Sequence, residues 1–300
     1  MLTVLCVLAA GDLHAQKRIG VIMTGDVPYY GAMHEAFVSE FNRRYAGGEK
    51  IEIIVQKPFP DSISWSNAAR KLIAFDVDLI VAYGSPAIQA VIHEKSRIPL
   101  VYAGLYEPDH EEVAGKYATG CGFKVPLSSI IRYFKQLKPL TTLGIVYSSI
   151  EEDAVRQYEA MKDVAEQQGI RVAKIDIRVH ADLEQLKTGK ADAIFITGSS
   201  LAHLWLADIM TILRKAQVPV ADIFPDDAEA GVLMTLSQPP HIQGEMAAGM
   251  AAKILRGEKP AGIIACTFRD TELVFNLVEA RHMGIDFPIH LLIEATRVIE

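Results

Sequence analysis

The sequence predicts an α/β fold built from two doubly wound parallel-sheet lobes. Three observations predict it. Short β-rich runs alternate with segments of helical apolar spacing along most of the chain. The alternation starts twice, because TLGIVYS at Thr142–Ser148 repeats the pattern of RIGVIMT at Arg18–Thr24. And 300 residues, 50% of them hydrophobic, suffice for two cores of about 150 residues each.

Taken in order, Arg18–Thr24 is the first strand and Ala32–Tyr45 carries apolar residues at helical spacing. Ile51–Gln56 is a strand, and Ser62–Phe75 a helix capped by Ser62 or Ser64. Val77–Tyr83, a helix from Pro86, and the strand Ile98–Ala103 follow. This order implies parallel strands joined by right-handed crossovers, with helices on both faces. A Gly-rich strand, Ala118–Lys124, and a helix, Leu127–Leu137, close the first half. The second half runs through Thr142–Ser148, helix Glu151–Gln168, strand Ile170–Ile177 and helix Asp182–Leu186. Strand Ala191–Thr197, helix Leu201–Ala216 and strand Val218–Ile223 complete it.

Composition excludes several functions. A net charge of −7 and the lack of a basic stripe argue against nucleic acid as a partner. Leu2–Ala10 is apolar but too short to span a bilayer, and Leu13-His14-Ala15 resembles a cleavage site. Residues 1–16 therefore read as an export signal, although a positively charged n-region is missing. The bulky Leu5 before Cys6 fits a lipoprotein signal poorly. No later run is long and apolar enough to cross a membrane, so no stable membrane insertion is expected. No Walker A, GxGxxG, GxSxG, HExxH or CxxC pattern occurs, so the reading is a non-enzyme without cofactor. In TGSSLAH (Thr197–His203), Ser200 and His203 have helical spacing and read as capping rather than catalysis. The histidines lack metal-ligand spacing and read as surface or core residues, with no metal site. Asp109-His110-Glu111-Glu112 reads as an acidic helix N-terminus.

Doubly wound sheets bind ligands beyond the carboxyl ends of their strands. That rule selects the loops Gly25–Tyr30, Gly84-Ser85, Gly104–Tyr106, Ser148–Glu151, Gly198–Ser200 and Asp222–Asp226. In Gly84-Ser85-Pro86, Ser85 at the N-cap and Pro86 at the first helical position leave N–H groups free for a carboxylate. Tyr29, Tyr30, Tyr83, Tyr102 and Tyr106 lie at or near strand ends of the first lobe, where they supply apolar area with a polar tip. Asp222, Asp226 and Asp227 crowd one loop of the second lobe and suit an ammonium group, or simply a solvated turn.

The run VDLIVAYGSPAIQAVIHEKSRIPLVYAGLYEPD (Val77–Asp109) resembles the exported ABC-transporter substrate-binding proteins of the tryptophan/tyrosine-binding type. GEMAAGMAAKILRGEKPAGI (Gly244–Ile263), NLVEARHMGIDFP (Asn276–Pro288) and ATRVIE (Ala295–Glu300) extend the likeness to the C-terminus. The resemblance implies a type I periplasmic binding protein: two lobes joined by a three-strand hinge and closing on a small ligand. The hinge crossovers then fall near 120–125, 236–239 and 265–268. Lobe 1 is 17–124 plus 240–264, and lobe 2 is 125–235 plus 269–300. Cys121 and Cys266 land on adjacent crossovers, which implies a hinge disulfide or a close thiol pair. The implied ligand is an amino acid or related carboxylate, contacted by Tyr30, Gly84, Ser85, Tyr102, Ser148, Ser199 and Asp226. Ser199 stands where the family commonly has an acidic residue, and ADIFPDDAEAG (Ala221–Gly231) replaces a Ser-rich loop, so the ammonium partner is either missing or supplied by Asp226. The implied role is a periplasmic monomer delivering its solute to the transmembrane subunits of an ABC permease. The alternative is a ligand-sensing accessory protein for a membrane receptor or kinase.

Overall fold

The computed structural model describes residues 16–45, 50–107, 113, 116–188 and 190–300. The expected signal and the acidic run Asp109–Glu112 lie outside the described residues, apart from Gln16. The first sheet comprises β1 (Arg18–Met23), β2 (Glu52–Gln56), β3 (Leu79–Tyr83), β4 (Leu100–Tyr106), β5 (Ala118–Phe123) and, from much later, β11 (Cys266–Phe268). Its order is β11-β5-β4-β3-β1-β2, all parallel. Between these strands run α1 (Pro28–Arg44), α2 (Ser62–Ala74) and α3 (Ser85–His93). The second sheet comprises β6 (Thr142–Tyr147), β7 (Arg171–Asp176), β8 (Ala193–Ile196), β9 (Val220–Asp222), β10 (Met234–Ser237), β12 (Glu272–Asn276) and β13 (Arg297–Ile299). Its order is β13-β12-β10-β9-β8-β6-β7.

β3 and β4 are buried along their whole length, the pattern of parallel strands covered on both faces. One pair departs from the parallel expectation. β12 runs antiparallel to β10, because only residues 269–271 separate it from β11 in the other sheet, too few for a crossover helix.

The chain passes between the sheets three times: after β5, after β10 and after β11. After β5 it enters α4 (Leu127–Leu137), whose Tyr133 meets Phe275 of β12 edge to face. After β10 it enters α9 (Pro240–Leu255), which packs back on α1. Cys121 and Cys266 stand opposite one another in register on β5 and β11. Both are free thiols, and the hydrogen bond between them raises the Cys121 thiol and lowers that of Cys266. Among the described residues, no helix is long and apolar enough to cross a membrane.

Three local expectations are corrected. The cap of α2 is Asp61, which accepts from the Ser64 N–H at 2.8 Å, rather than Ser62 or Ser64. At α3 the N-cap is Gly84, so Ser85 and Pro86 occupy the first two helical positions. The expected helix 201–216, which follows the short α6 (Gln185–Thr188), breaks at Trp205 into α7 (Ser200–Leu204) and α8 (Leu206–Lys215).

The packing of α1 on α9 depends on Gly244. A Cβ there would lie 2.1 Å from the carbonyl oxygen of Met33, so the two backbones touch directly. We expect Gly244→Ala to push α9 off α1 and to cost at least about 1–3 kcal/mol. Urea unfolding of the two proteins measures the difference, and an unchanged midpoint contradicts it.

Candidate functional site

β3 delivers the chain to Gly84, whose φ of +83° suits glycine, and a Cβ would strike the Tyr30 hydroxyl and Thr24 Oγ1. The first N–H groups of α3 then point out of the first sheet, where anions are ordinarily held. Here the protein itself occupies them. The Ser85 N–H donates to Asp153 Oδ2 at 3.2 Å, and the Ala87 N–H to Thr24 Oγ1 at 3.4 Å. The Ile88 N–H bonds back to the Gly84 carbonyl, and Pro86 has none to offer. The Ser85 hydroxyl donates to Glu152 Oε2 at 3.3 Å.

Asp153 belongs to the opposite side, at the head of α5 (Glu152–Gln167) beyond β6. The Tyr106 amide also lowers this acid, while Oδ1 is buried without a partner. Burial pushes this acid up to about 7, against the pull of the two amides. Two residues earlier, Glu151 does for the second side what Asp153 does for the first. Glu151 accepts the Ser199 hydroxyl at 2.6 Å and the N–H groups of Ser200 and Leu201 at 2.8 and 2.9 Å. Ser199 Oγ in turn accepts from the Ala202 N–H, so the N-terminus of α7 is also filled. Burial raises the Glu151 acid as well, opposed by these donors.

Aromatic rings join the two sides. Tyr29 stacks on Phe224 with centroids 4.3 Å apart and planes 10° from parallel, and Tyr30 meets both rings edge-on. Tyr106 reaches the same group through Phe123. Beneath Phe224 lies His203, with ring centroids 4.5 Å apart. Its Nδ1 donates to the Ser199 carbonyl at 2.6 Å, and its Nε2 faces Asp222 at 3.1 Å and Asp227 at 2.8 Å. Burial would lower the imidazole, but the two carboxylates override it and hold it well above its usual value. Burial also raises Asp222 to about 7. These three side chains are the one His/Cys/Asp/Glu group among the described residues close enough to share a metal ion. A protonated imidazole between two carboxylates satisfies the same geometry without one.

The end of the second sheet carries further buried polar atoms with no protein partner: Ser148 Oγ after β6, Thr197 Oγ1 after β8, and Ser237 Oγ and Gln238 Nε2 at the end of β10. Buried polar atoms are normally hydrogen-bonded. Several of them gathered at one edge mark it as a place where a bound molecule or ordered water would complete their hydrogen bonds.

Tyr30, Gly84, Ser85 and Ser148 thus lie where the first and second sides meet or on the edge that faces it. Ser199 is there too, consumed as a helix cap and Glu151 donor. Tyr102 is not. It packs with Leu72, Ile88 and Leu105 in the core of the first lobe, on the opposite sheet face from Ala103 and Tyr106. Asp226 is exposed at a turn, under the influence of Glu229, Arg297 and Glu272, and Asp227 points inward in its place. Sequence reasoning placed Glu151 in a candidate loop without giving it a role and missed Asp153, although the acidic triplet Glu151-Glu152-Asp153 at a helix start was visible. It also missed His203, whose partners lie 19 and 24 residues away in sequence.

Replacing His203 tests the buried triad. His203→Ala leaves Asp222 and Asp227 facing each other without a counter-charge, and we expect a loss of about 3–5 kcal/mol. The deficit should be largest near pH 8 and shrink toward pH 5, as the stranded carboxylates take up protons. Denaturant unfolding across that range measures it, and a pH-independent deficit contradicts it.

Comparison with known proteins bears on this geometry. The chain is 21% identical over 276 residues to a curated tyrosine-binding protein of Clostridioides difficile, covering 88% of this chain and 80% of that one. Among solved structures, an ABC domain from Streptococcus pneumoniae in complex with L-Trp superposes with a TM-score of 0.88 at 22% identity, covering 95% of this chain and all of the other. A solute-binding protein from Bacillus halodurans with bound myo-inositol superposes at 0.62 and 18% identity, covering 90% and 98%. These likenesses show the type I periplasmic binding fold. The family model described as ABC transporter substrate binding protein matches residues 48–299, so the chain belongs to that family of solute binders, which are not enzymes.

Proposed function

We propose that this chain is the periplasmic solute-binding component of an ABC importer, exported by residues 1–16 and acting as a monomer that docks on the permease subunits. A small organic solute sits between the two lobes, bounded at 17–124 plus 240–264 and 125–235 plus 269–300. The segments near 120–125, 236–239 and 265–268 act as the hinge, with Cys121 and Cys266 beside it. The observation that supports the reading is the set of buried, unpartnered polar atoms (Asp153 Oδ1, Ser148 Oγ, Thr197 Oγ1, Ser237 Oγ) at or just beyond the strand ends of the second sheet. The tyrosine-binding relative and the L-Trp complex support an aromatic, amine-bearing solute, with amino acids as the first class to try. A solute contacting both lobes favours the closed arrangement, and one contacting a single lobe would not.

Thermal unfolding with amino acids, amines, small carboxylates and polyols tests the reading. A true solute at a hundredfold excess over its Kd adds about 2.7 kcal/mol, read as a rise of several degrees in Tm. Small-angle scattering should show a smaller radius of gyration with the same compound.

The closed arrangement should itself depend on pH. Asp153 titrates near 7 when its carboxyl is held against Ser85 and Tyr106, and near an ordinary aspartate once the lobes part. Between those values the closed form binds the extra proton, so low pH favours closure and the advantage fades as pH rises to 7. Beside Asp153, Arg156 and Glu152 on α5 act in opposite directions, the first lowering and the second raising it. Without solute, we expect the radius of gyration to grow from pH 5 to pH 8. Asp153→Asn should flatten that trend, and an unchanged trend in the variant removes Asp153 as its origin.

A further inference from the structure

The two helix N-termini at the meeting of the lobes are both filled by the protein's own acids. At α3 the Ser85 N–H goes to Asp153, the Ala87 N–H to Thr24 and the Ile88 N–H to Gly84, and residue 86 is proline. At α7 the N–H groups of Ser200 and Leu201 go to Glu151, and that of Ala202 to Ser199. A carboxylate arriving from solution finds these positions taken by carboxylates. No cation replaces them, since no lysine or arginine is buried among the described residues. Asp222 and Asp227 already hold the one nearby imidazole, His203, and the cation acting on Asp153, Arg156, is partly exposed and paired with Glu152. Asp153 is only 6% exposed and keeps one oxygen without a partner. Asp153 stands against Ser85 at the turn after Gly84, and the Cβ position of that glycine abuts the Tyr30 hydroxyl. A buried carboxylate with an unpaired oxygen, close to a phenol, is a site for a positive organic group through direct charge-assisted pairing.

Resting on the reading that the cleft binds a solute, we propose that the solute is an organic cation, an amine or quaternary ammonium, that carries no carboxylate. Its positive end sits against Asp153 Oδ1, close to the Tyr30 phenol. The polar row at Ser148, Thr197 and Ser237 hydrogen-bonds the remainder. An amino acid offers the same ammonium but brings a carboxylate that meets Glu151 and Asp153 instead of free N–H groups. The filled helix ends therefore act as the filter against amino acids.

Paired probes test this on the unmodified protein by calorimetry at pH 8, where the amines remain charged. The pairs are tyramine with L-tyrosine, tryptamine with L-tryptophan and phenethylamine with L-phenylalanine. Choline, putrescine and spermidine extend the cation class, and 4-ethylphenol and myo-inositol serve as neutral probes. We expect binding in the cation class, with any amine that binds at least about tenfold tighter than its amino acid, the size of effect one uncompensated charge produces. Asp153→Asn should weaken that cation at least about tenfold while narrowing the gap to the amino acid. An amino acid that matches or exceeds its amine overturns the proposal and leaves the solute-binding reading standing. So does binding confined to the neutral probes, or a cation whose affinity Asp153→Asn leaves unchanged. If no compound of any class binds or alters the radius of gyration, the solute-binding reading falls and this proposal with it.

Discussion

Everything at the meeting of the two sheets depends on how the first residues of α5 are spent. Glu151 and Asp153 are two residues apart, yet each closes a different helix. Glu151 satisfies α7 on its own side, through Ser199, Ser200 and Leu201, and Asp153 satisfies α3 on the other, through Ser85. A helix N-terminus left open in a buried place would strand N–H groups, each costing about 1–3 kcal/mol. Carboxylates suit the task because they accept several donors and complement the positive end of the helix. Their cost is buried charge, visible in the upward displacement of both acids.

That arrangement shapes its surroundings. With Asp153 against Ser85 and Tyr106, β4, α3 and α5 converge on one point. The convergence brings Gly25 so close to Ser200 that a Cβ on the glycine would lie 2.8 Å from that of the serine. It also sets Phe224, turned inward by the Asp222 bond to its N–H, flat on Tyr29. Gln243 of α9 ties the same tyrosine to the first sheet, donating to its hydroxyl at 3.0 Å while accepting from the Gly104 N–H.

The sheets were legible in the sequence because parallel strands buried on both faces read as unbroken apolar runs, such as Leu79–Tyr83 and Leu143–Tyr147. The repeat of RIGVIMT in TLGIVYS disclosed two lobes for the same reason. The strand-end rule singles out Gly84, Ser85, Tyr30 and Ser148, and all four lie where the two sheets' ends meet. What could not be read was which group answers which. Local grammar makes Ser85 a cap, but Gly84 takes that place because Tyr30 and Thr24 crowd the turn. Spacing gives no sign that Asp153 reaches across 68 residues to Ser85, or that His203 has two acid partners. In the loop 222–227 the three aspartates look equivalent, and a single 3-10 turn at Pro225–Ala228 decides that Asp227 faces inward while Asp226 faces water. Tyr102 was misplaced because strand alternation, not nearness to the strand end, chooses its side: it shares a face with Leu100, opposite Ala103.

The contacts between the two sides oppose one another in sign. Stacking of Tyr29 on Phe224 contributes about 0.5–1.5 kcal/mol beyond the area it buries. The charge-assisted bond from Ser85 to Asp153 adds about 1.5–3 kcal/mol. Against these stands the desolvation of the Asp153 carboxylate, an effective penalty of several kcal/mol for an ion in a protein interior. The terms are of similar size, so the aromatic and hydrogen-bonded contact is held near balance by one acid with an unpaired oxygen. Any positive group placed beside that oxygen removes the opposing term without disturbing the others. A positive solute pairing with that carboxylate would therefore also strengthen the contact that holds the two sides together.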